Sequence, residues 1–341
     1  MVNLTRASQE LFRRTPDECF ESLDTMLAHC RNQQEASMER WHPPADFAAT
    51  VDAGCLSLKL GTDGASLMMN DWSFGQLCKL AGVAKETVNR LSPGTARQVL
   101  CETLPGGNKP LQLFTQGQFL RSLHGSSYTR LYNADLVESL RAFEDFRPPE
   151  KGFNGATGLY AGEQDLFCFL IDPVGWIEIE GEAFAPGFFV WNSEVGRRSF
   201  GIQTFWFQAV CQNHIVWDAV EVVEYTRKHT ASVADSLKEM CSLIEGLVRK
   251  RDERKDAFAN VIARAMQTKL GDDADEVVKQ LASHGISRGQ ARQALEFAER
   301  RGRFTLFAIV DGLTRLAGEI RNAGERLDAD QKAGALLALA A

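Results

Sequence analysis

The residues best suited to chemistry lie in a short polar stretch, Asn192, Ser193, Glu194, Gly196, Arg197 and Arg198, set between the aromatic runs Phe188 to Trp191 and Gly201 to Cys211. Two guanidinium groups beside a glycine that frees the backbone can present a fork of donors to an anion. A second set precedes it: Arg121, Tyr128 and Arg130, a mixture of cations and an aromatic ring. Cations neutralise phosphates and rings stack on unpaired bases, so the combination suits a nucleic acid, single-stranded in preference to duplex. The predicted contact set is therefore Arg121, Tyr128, Arg130, Asn192, Ser193, Arg197 and Arg198. The competing reading places the rings in the core. Most of Trp191, Phe205 and Trp206 are expected there, which leaves the arginines and Tyr128 as the exposed candidates.

Other chemistries have weaker support. Cys211 and His214 could form a thiolate and imidazole pair, the basis of a Cys/His hydrolase. Residues three apart on a strand point to opposite faces, so they would meet only if the chain turns at Gln212 and Asn213. No phosphate-binding Gly-rich loop, zinc-protease helix or serine elbow occurs. Asp172, Glu178, Glu180, Glu182 and Glu194 supply carboxylates, but alternation turns Glu178 and Glu180 outward, away from any shared metal. The 8 cysteines include no Cys-x-x-Cys pair and read as reduced and mostly buried. No metal, no cofactor and no catalytic residue is expected.

Composition narrows the class. At 341 residues, 44% hydrophobic and 24% charged, the chain is long enough for two domains. A net charge of -7 argues against coating nucleic acid by charge alone, although a local basic patch remains compatible with it. The start has no signal-peptide core, and no run nears the ~20 apolar residues that span a bilayer. The expectation is a cytoplasmic protein with no membrane partner.

The elements that must position these groups read as α+β: an antiparallel β-sheet core with packed helices, followed by an all-helical C-terminal region. Residues 1–44 are expected as a helical arm, 45–226 as the α+β core, and 227–341 as helices. Within the core, Thr50 to Asn70 reads as a hairpin around Gly-Thr-Asp-Gly. Trp72 to Leu91 has the apolar spacing and turn glycine of a helix-turn-helix. Lys85, Asn89 and Arg90 would then be base-reading candidates, although Pro93 cuts the second helix short and a plain helical hairpin is the commoner outcome. Phe119 to Asn133 places Arg121 inside an apolar strand, with Tyr128 and Arg130 alternating onto one face. Ala134 to Phe146 reads as a helix, Gly158 to Asp172 and Trp176 to Glu180 as strands. A long amphipathic helix is expected beyond Tyr225, interrupted near Arg251 and Arg254. The two helices after it start at Gly271-Asp272-Asp273 and at the capping box Ser287 and Gln290. The second carries Arg288, Arg292, Arg300, Arg301 and Arg303, a candidate electrostatic patch or an ordinary solubilising face.

Five segments occur in order: Arg121 to Tyr128, Asn192 to Gly196, Val210 to His214, Arg227 to Thr230 and Thr305 to Leu316. Together they resemble the phage/plasmid-like family called domain of unknown function 932, over most of residues 50–337. Gln212-Asn213-His214 and Gly125-Ser126 depart from the family's commoner Asn-Gly and Ser-Asp pairs. The resemblance implies a mobile-element protein, carried by phages, plasmids or integrated elements, and no established activity. The resulting expectation is a non-enzymatic DNA-binding accessory factor in replication, recombination or transfer. The alternative is an interaction protein that blocks a host defence complex through its helical half, with a host protein as partner. Either is compatible with a homo-oligomer.

Overall fold

The computed structural model of the protein describes residues 10–61, 64, 66–150, 158–209, 213–215, 225–227, 235–300 and 304–340. The chain opens with β1 (Glu18–Phe20), α1 (Leu23–Glu35) and β2 (Ser37–His42). A meander follows, β3 (Phe47–Asp52), β4 (Cys55–Leu60) and β5 (Ser66–Met69), then α2 (Asp71–Leu80), α3 (Lys85–Val88), α4 (Pro93–Thr103), β6 (Leu111–Gln116) and β7 (Phe119–His124). From β2 onward these strands form a six-stranded sheet in the order β2-β6-β7-β5-β4-β3. All its pairings are antiparallel except β5 with β7. Leu56, Leu58 and Leu60 share one face of β4 and pack with Phe74, Leu77 and Leu100 of the helices. The tight β3–β4 turn uses Ala53 and Gly54, both at positive φ, which matches the twist of the strands it joins.

The second sheet is assembled from distant segments. After α5 (Asn133–Leu140) come β8 (Leu159–Ala161), β9 (Leu166–Ile171), β10 (Ile177–Ile179), β11 (Glu182–Asn192), β12 (Phe200–Gln208), β13 (Asn213–Ile215) and β14 (Tyr225–Arg227). The order is β1-β8-β9-β11-β12-β13, with β10 on β11 and β14 on β12. Helices cover both of its faces. Cys168, Leu170, Phe188, Val190 and Ile202 pack with Met26, Val137 and Ile244, whereas Phe167, Phe169, Phe189 and Phe205 pack with Ala323 and Leu327. Burial on both faces explains why β9 and β11 are continuous apolar runs and not alternating ones.

The C-terminal helices are α6 (Asp235–Arg249), α7 (Arg251–Ala265), α8 (Ala274–Ser283), α9 (Arg288–Arg300), α10 (Leu306–Gly318) and α11 (Ala323–Ala335), ending in a 3-10 turn at Leu336–Leu339. Whereas α6 lies with α1 and α5 on one face of the second sheet, α7 to α10 and the end of α11 pack around Ile179, Phe184 and Trp206, and Trp206 stacks on Phe258 with ring centroids 4.0 Å apart. The break between α6 and α7 falls at Lys250, inside the mixed-charge run. Asp273 caps α8 by accepting from the Glu276 amide, and the Ser287–Gln290 box opens α9 as its spacing predicts.

Three expectations are corrected. Residues 1–44 are not a purely helical arm, because β1 pairs with β8 and β2 pairs with β6, so the segment is woven into both sheets. The helix-turn-helix reading fails because α3 is a single turn. Its buried Asn89 is consumed by the backbone of Phe12, accepting from Phe12 N at 2.8 Å and donating to Phe12 O at 2.9 Å. Finally, β7 ends at His124, so Tyr128 and Arg130 sit in the irregular connection to α5.

Candidate nucleic-acid interface

Five of the predicted contact residues, Arg121, Tyr128, Arg130, Asn192 and Ser193, come together where the first sheet meets the turn after β11. There Glu194, in the turn after β11, is the anion. Its Oε2 lies 3.0 Å from Arg121 Nη1, and its Oε1 accepts from the Asn133 amide at 2.7 Å. The Glu194 carbonyl accepts from Tyr128 Oη at 2.9 Å and from Arg130 Nη1. Arg130 also meets Glu39 at 3.0 Å and donates to Gln112 at 3.2 Å. Phe114 lies under both guanidinium groups, 3.6 Å from Arg130 and 4.9 Å from Arg121. Asn192 donates to Leu131 O and to Asn133 Oδ1, both at 2.8 Å, and Ser193 Oγ donates to Gln164 O.

A buried guanidinium must be paired, since an uncompensated charge out of water costs several kcal/mol. Arg121, Arg130, Asn192 and Ser193 are all buried, and each has a partner inside the protein. These four are therefore internal fasteners, Arg121 and Arg130 tying one sheet to the turn of the other, and not a surface that awaits a ligand. Burial, opposed by Arg130 and reinforced by Glu194 and Glu39, holds the Tyr128 phenol far above its ordinary range, so it stays protonated and donates.

Arg198 also turns inward. It pairs with Asp328 at 3.3 Å and Asp165 at 3.7 Å, and packs so close to α11 that a Cβ on Gly324 would lie 2.8 Å from its Nη2. Burial raises the Asp165 carboxyl, while Arg198, Arg14 and Arg197 oppose the shift. Beside it, Asp17 accepts from the Ala323 amide at 2.8 Å and caps α11 from the opposite end of the chain.

Arg197 behaves differently. It is exposed, and its guanidinium makes no hydrogen bond or ion pair among the described residues; it lies over the indole of Trp72, 5.7 Å from the ring centroid. Trp72 is on the first turn of α2 and lines a groove of about 730 Å³ between that helix, the end of β7 and the Gly196 turn. The groove walls are pinned. Trp72 Nε1 donates to Val195 O at 2.8 Å, and the Gln76 amide both accepts from Leu123 N at 2.9 Å and donates to Leu123 O at 3.0 Å. His124 stacks on Tyr128 with centroids 3.7 Å apart and planes within 8°. Gly196 has φ +72, and a Cβ there would lie 2.6 Å from His124 Cε1, so glycine is what lets the turn approach this stack.

Two lysines complete the rim. Lys79 is exposed and makes no ion pair among the described residues, whereas Lys85 is neutralised by Asp71 at 2.6 Å. Trp72, Gln76, Lys79 and His124 were thus missed by sequence reasoning. Trp72, Gln76 and Lys79 recur at helical spacing, which could have marked one face of α2 as polar and aromatic.

The remaining candidates stay apart. Arg288, Arg292 and Arg300 are exposed on α9; Arg301 and Arg303 lie outside the described residues. So do Cys211 and the side chain of His214. Asp172 is buried, Glu178 is exposed, and Glu182 accepts from Gln208 at 2.9 Å. Among the described residues no group of three or more His, Cys, Asp or Glu side chains could hold a metal ion. Burial pushes the Cys30 thiol up to about 12 and the Cys78 thiol up to about 11, which removes both from the pool of nucleophiles at neutral pH. No helix among the described residues is long and apolar enough to cross a membrane. No family model, curated protein or solved structure matches the chain.

Proposed function

We propose that the protein is a non-enzymatic binding factor for single-stranded DNA and that its contact surface is the groove beside α2. The observation that carries this reading is the placement of exposed Arg197 over Trp72 at the mouth of a pinned groove whose rim also holds Lys79. An exposed cation on an aromatic face offers a phosphate partner and a stacking surface together. With an overall charge of -7, long-range attraction is weak, so affinity rests on these few local contacts. An accessory role in replication, recombination or transfer of a mobile element rests on the resemblance of the ordered segments alone.

The test is fluorescence anisotropy of a labelled oligothymidine over a salt series. Each phosphate contact contributes about 0.7 to the logarithmic salt slope for single strands, so Lys79→Glu with Arg197→Glu should lower both affinity and slope. Unchanged binding by the double variant would refute the placement.

A second reading, a protein-interaction factor, is favoured by β2. This strand ends the six-stranded sheet, and its Met38 and Trp41 are 56% and 48% exposed. An unpaired edge with exposed apolar side chains can accept a strand from a partner. Recovery of a stoichiometric protein from nuclease-treated extract, lost on Met38→Glu and Trp41→Glu, would support it.

A further inference from the structure

Phosphate contacts alone need no cavity, yet the rim cations stand over one. The floor and walls of the α2 groove are largely apolar or aromatic: Trp72 and Leu80 from α2, Leu111 from β6, Leu123 and His124 from β7. Its volume of about 730 Å³ falls within the range that accommodates a small organic ligand. The hydrogen bonds of Trp72 and Gln76 hold the walls at fixed separation, and the His124–Tyr128 stack is fixed in turn by the bonds from Tyr128 to the Glu194 and Ser193 carbonyls. Little reorganisation is needed to admit a flat group, which reduces the entropic cost of binding. Gly125 and Gly196 leave the entrance without side chains, and Lys79 and Arg197 flank it.

From this arrangement we infer that the groove is a pocket for one unpaired nucleobase, seated among Trp72, Leu123 and His124, with the adjoining phosphates held by Lys79 and Arg197. The inference rests on the proposed binding of single-stranded DNA and adds how the strand is gripped. Because the apolar walls offer a stacking surface more than a hydrogen-bond code, the pocket accepts any base that fits, and duplex DNA, whose bases are paired and stacked, is excluded.

The experiment compares the wild-type protein with two oligonucleotides of equal length and equal phosphate count, oligothymidine and an abasic strand carrying tetrahydrofuran in place of every base. A seated base should make the thymidine strand about tenfold tighter at fixed salt. Trp72→Ala should bring the two strands to similar affinity while leaving the salt slope in place; His124→Ala gives the same readout if the tryptophan variant does not fold. Equal wild-type affinity for both strands overturns the base pocket and leaves phosphate binding standing. Binding of neither strand overturns the pocket and the proposed function together.

Discussion

Arg121 Nη1 and Glu194 Oε2, 73 residues apart in the chain, lie 3.0 Å apart with both side chains almost wholly buried. Their contact ties the middle of β7 to the turn after β11, and so one sheet to the other. Removing one member strands the other charge in a low-dielectric site. Glu194→Ala should therefore destabilise the fold by about 3–5 kcal/mol in urea denaturation, whereas Arg121→Met combined with Glu194→Leu should recover much of the loss. A Glu194→Ala cost below about 1 kcal/mol would show that the pair is not a fastener.

Gly196 gives a sharper local test. Its φ of +72 costs an L-residue about 1–2 kcal/mol, and a methyl group would strike His124. Gly196→Ala should lower the melting temperature and weaken oligothymidine binding together, because the same turn carries Arg197. Loss of stability with binding untouched would separate the turn from the groove.

The C-terminal side of the fold carries a pH dependence. Asp330, on α11, is wholly buried, and burial pushes its carboxyl up to about 7 against the partial opposition of Arg326, 3.7 Å away. Arg326 in turn approaches the Tyr160 hydroxyl at 3.5 Å. A carboxyl with a raised folded pKa keeps its proton in the folded chain after the unfolded chain has lost it. Stability from this group thus falls as pH rises between about 4 and 7, by at most about 1.4 kcal/mol per unit, and levels off above. Asp330→Asn removes that slope. The variant should melt above the wild type near pH 8 and close to it near pH 4.5; parallel curves would contradict the assignment.

Much of the fold was legible because periodicity and caps are local properties. The β11–β12 hairpin, the break at Lys250 and the cap at Asp273 were each visible in adjacent residues. The pairing of β1 with β8 was not, since Glu18 to Phe20 has no strand signature of its own and is recruited by a sheet built more than a hundred residues later. The site was half legible. The arginines and aromatic residues could be picked out as a set, but Arg121 and Arg130 face carboxylates, and which side a guanidinium faces depends on tertiary contacts that spacing does not encode. The presence of Glu194 and Glu39 as acids was visible, but not their aim.

The most direct measurement is photocross-linking of the wild-type protein to an oligonucleotide carrying 5-iodouracil, followed by mass spectrometry of the joined peptide. Adducts are expected on Trp72 or His124, with loss of the adduct at high salt and in the Lys79→Glu, Arg197→Glu double variant. Adducts confined to the Arg288, Arg292 and Arg300 face of α9, or adducts at Trp72 that persist in the double variant, would contradict it.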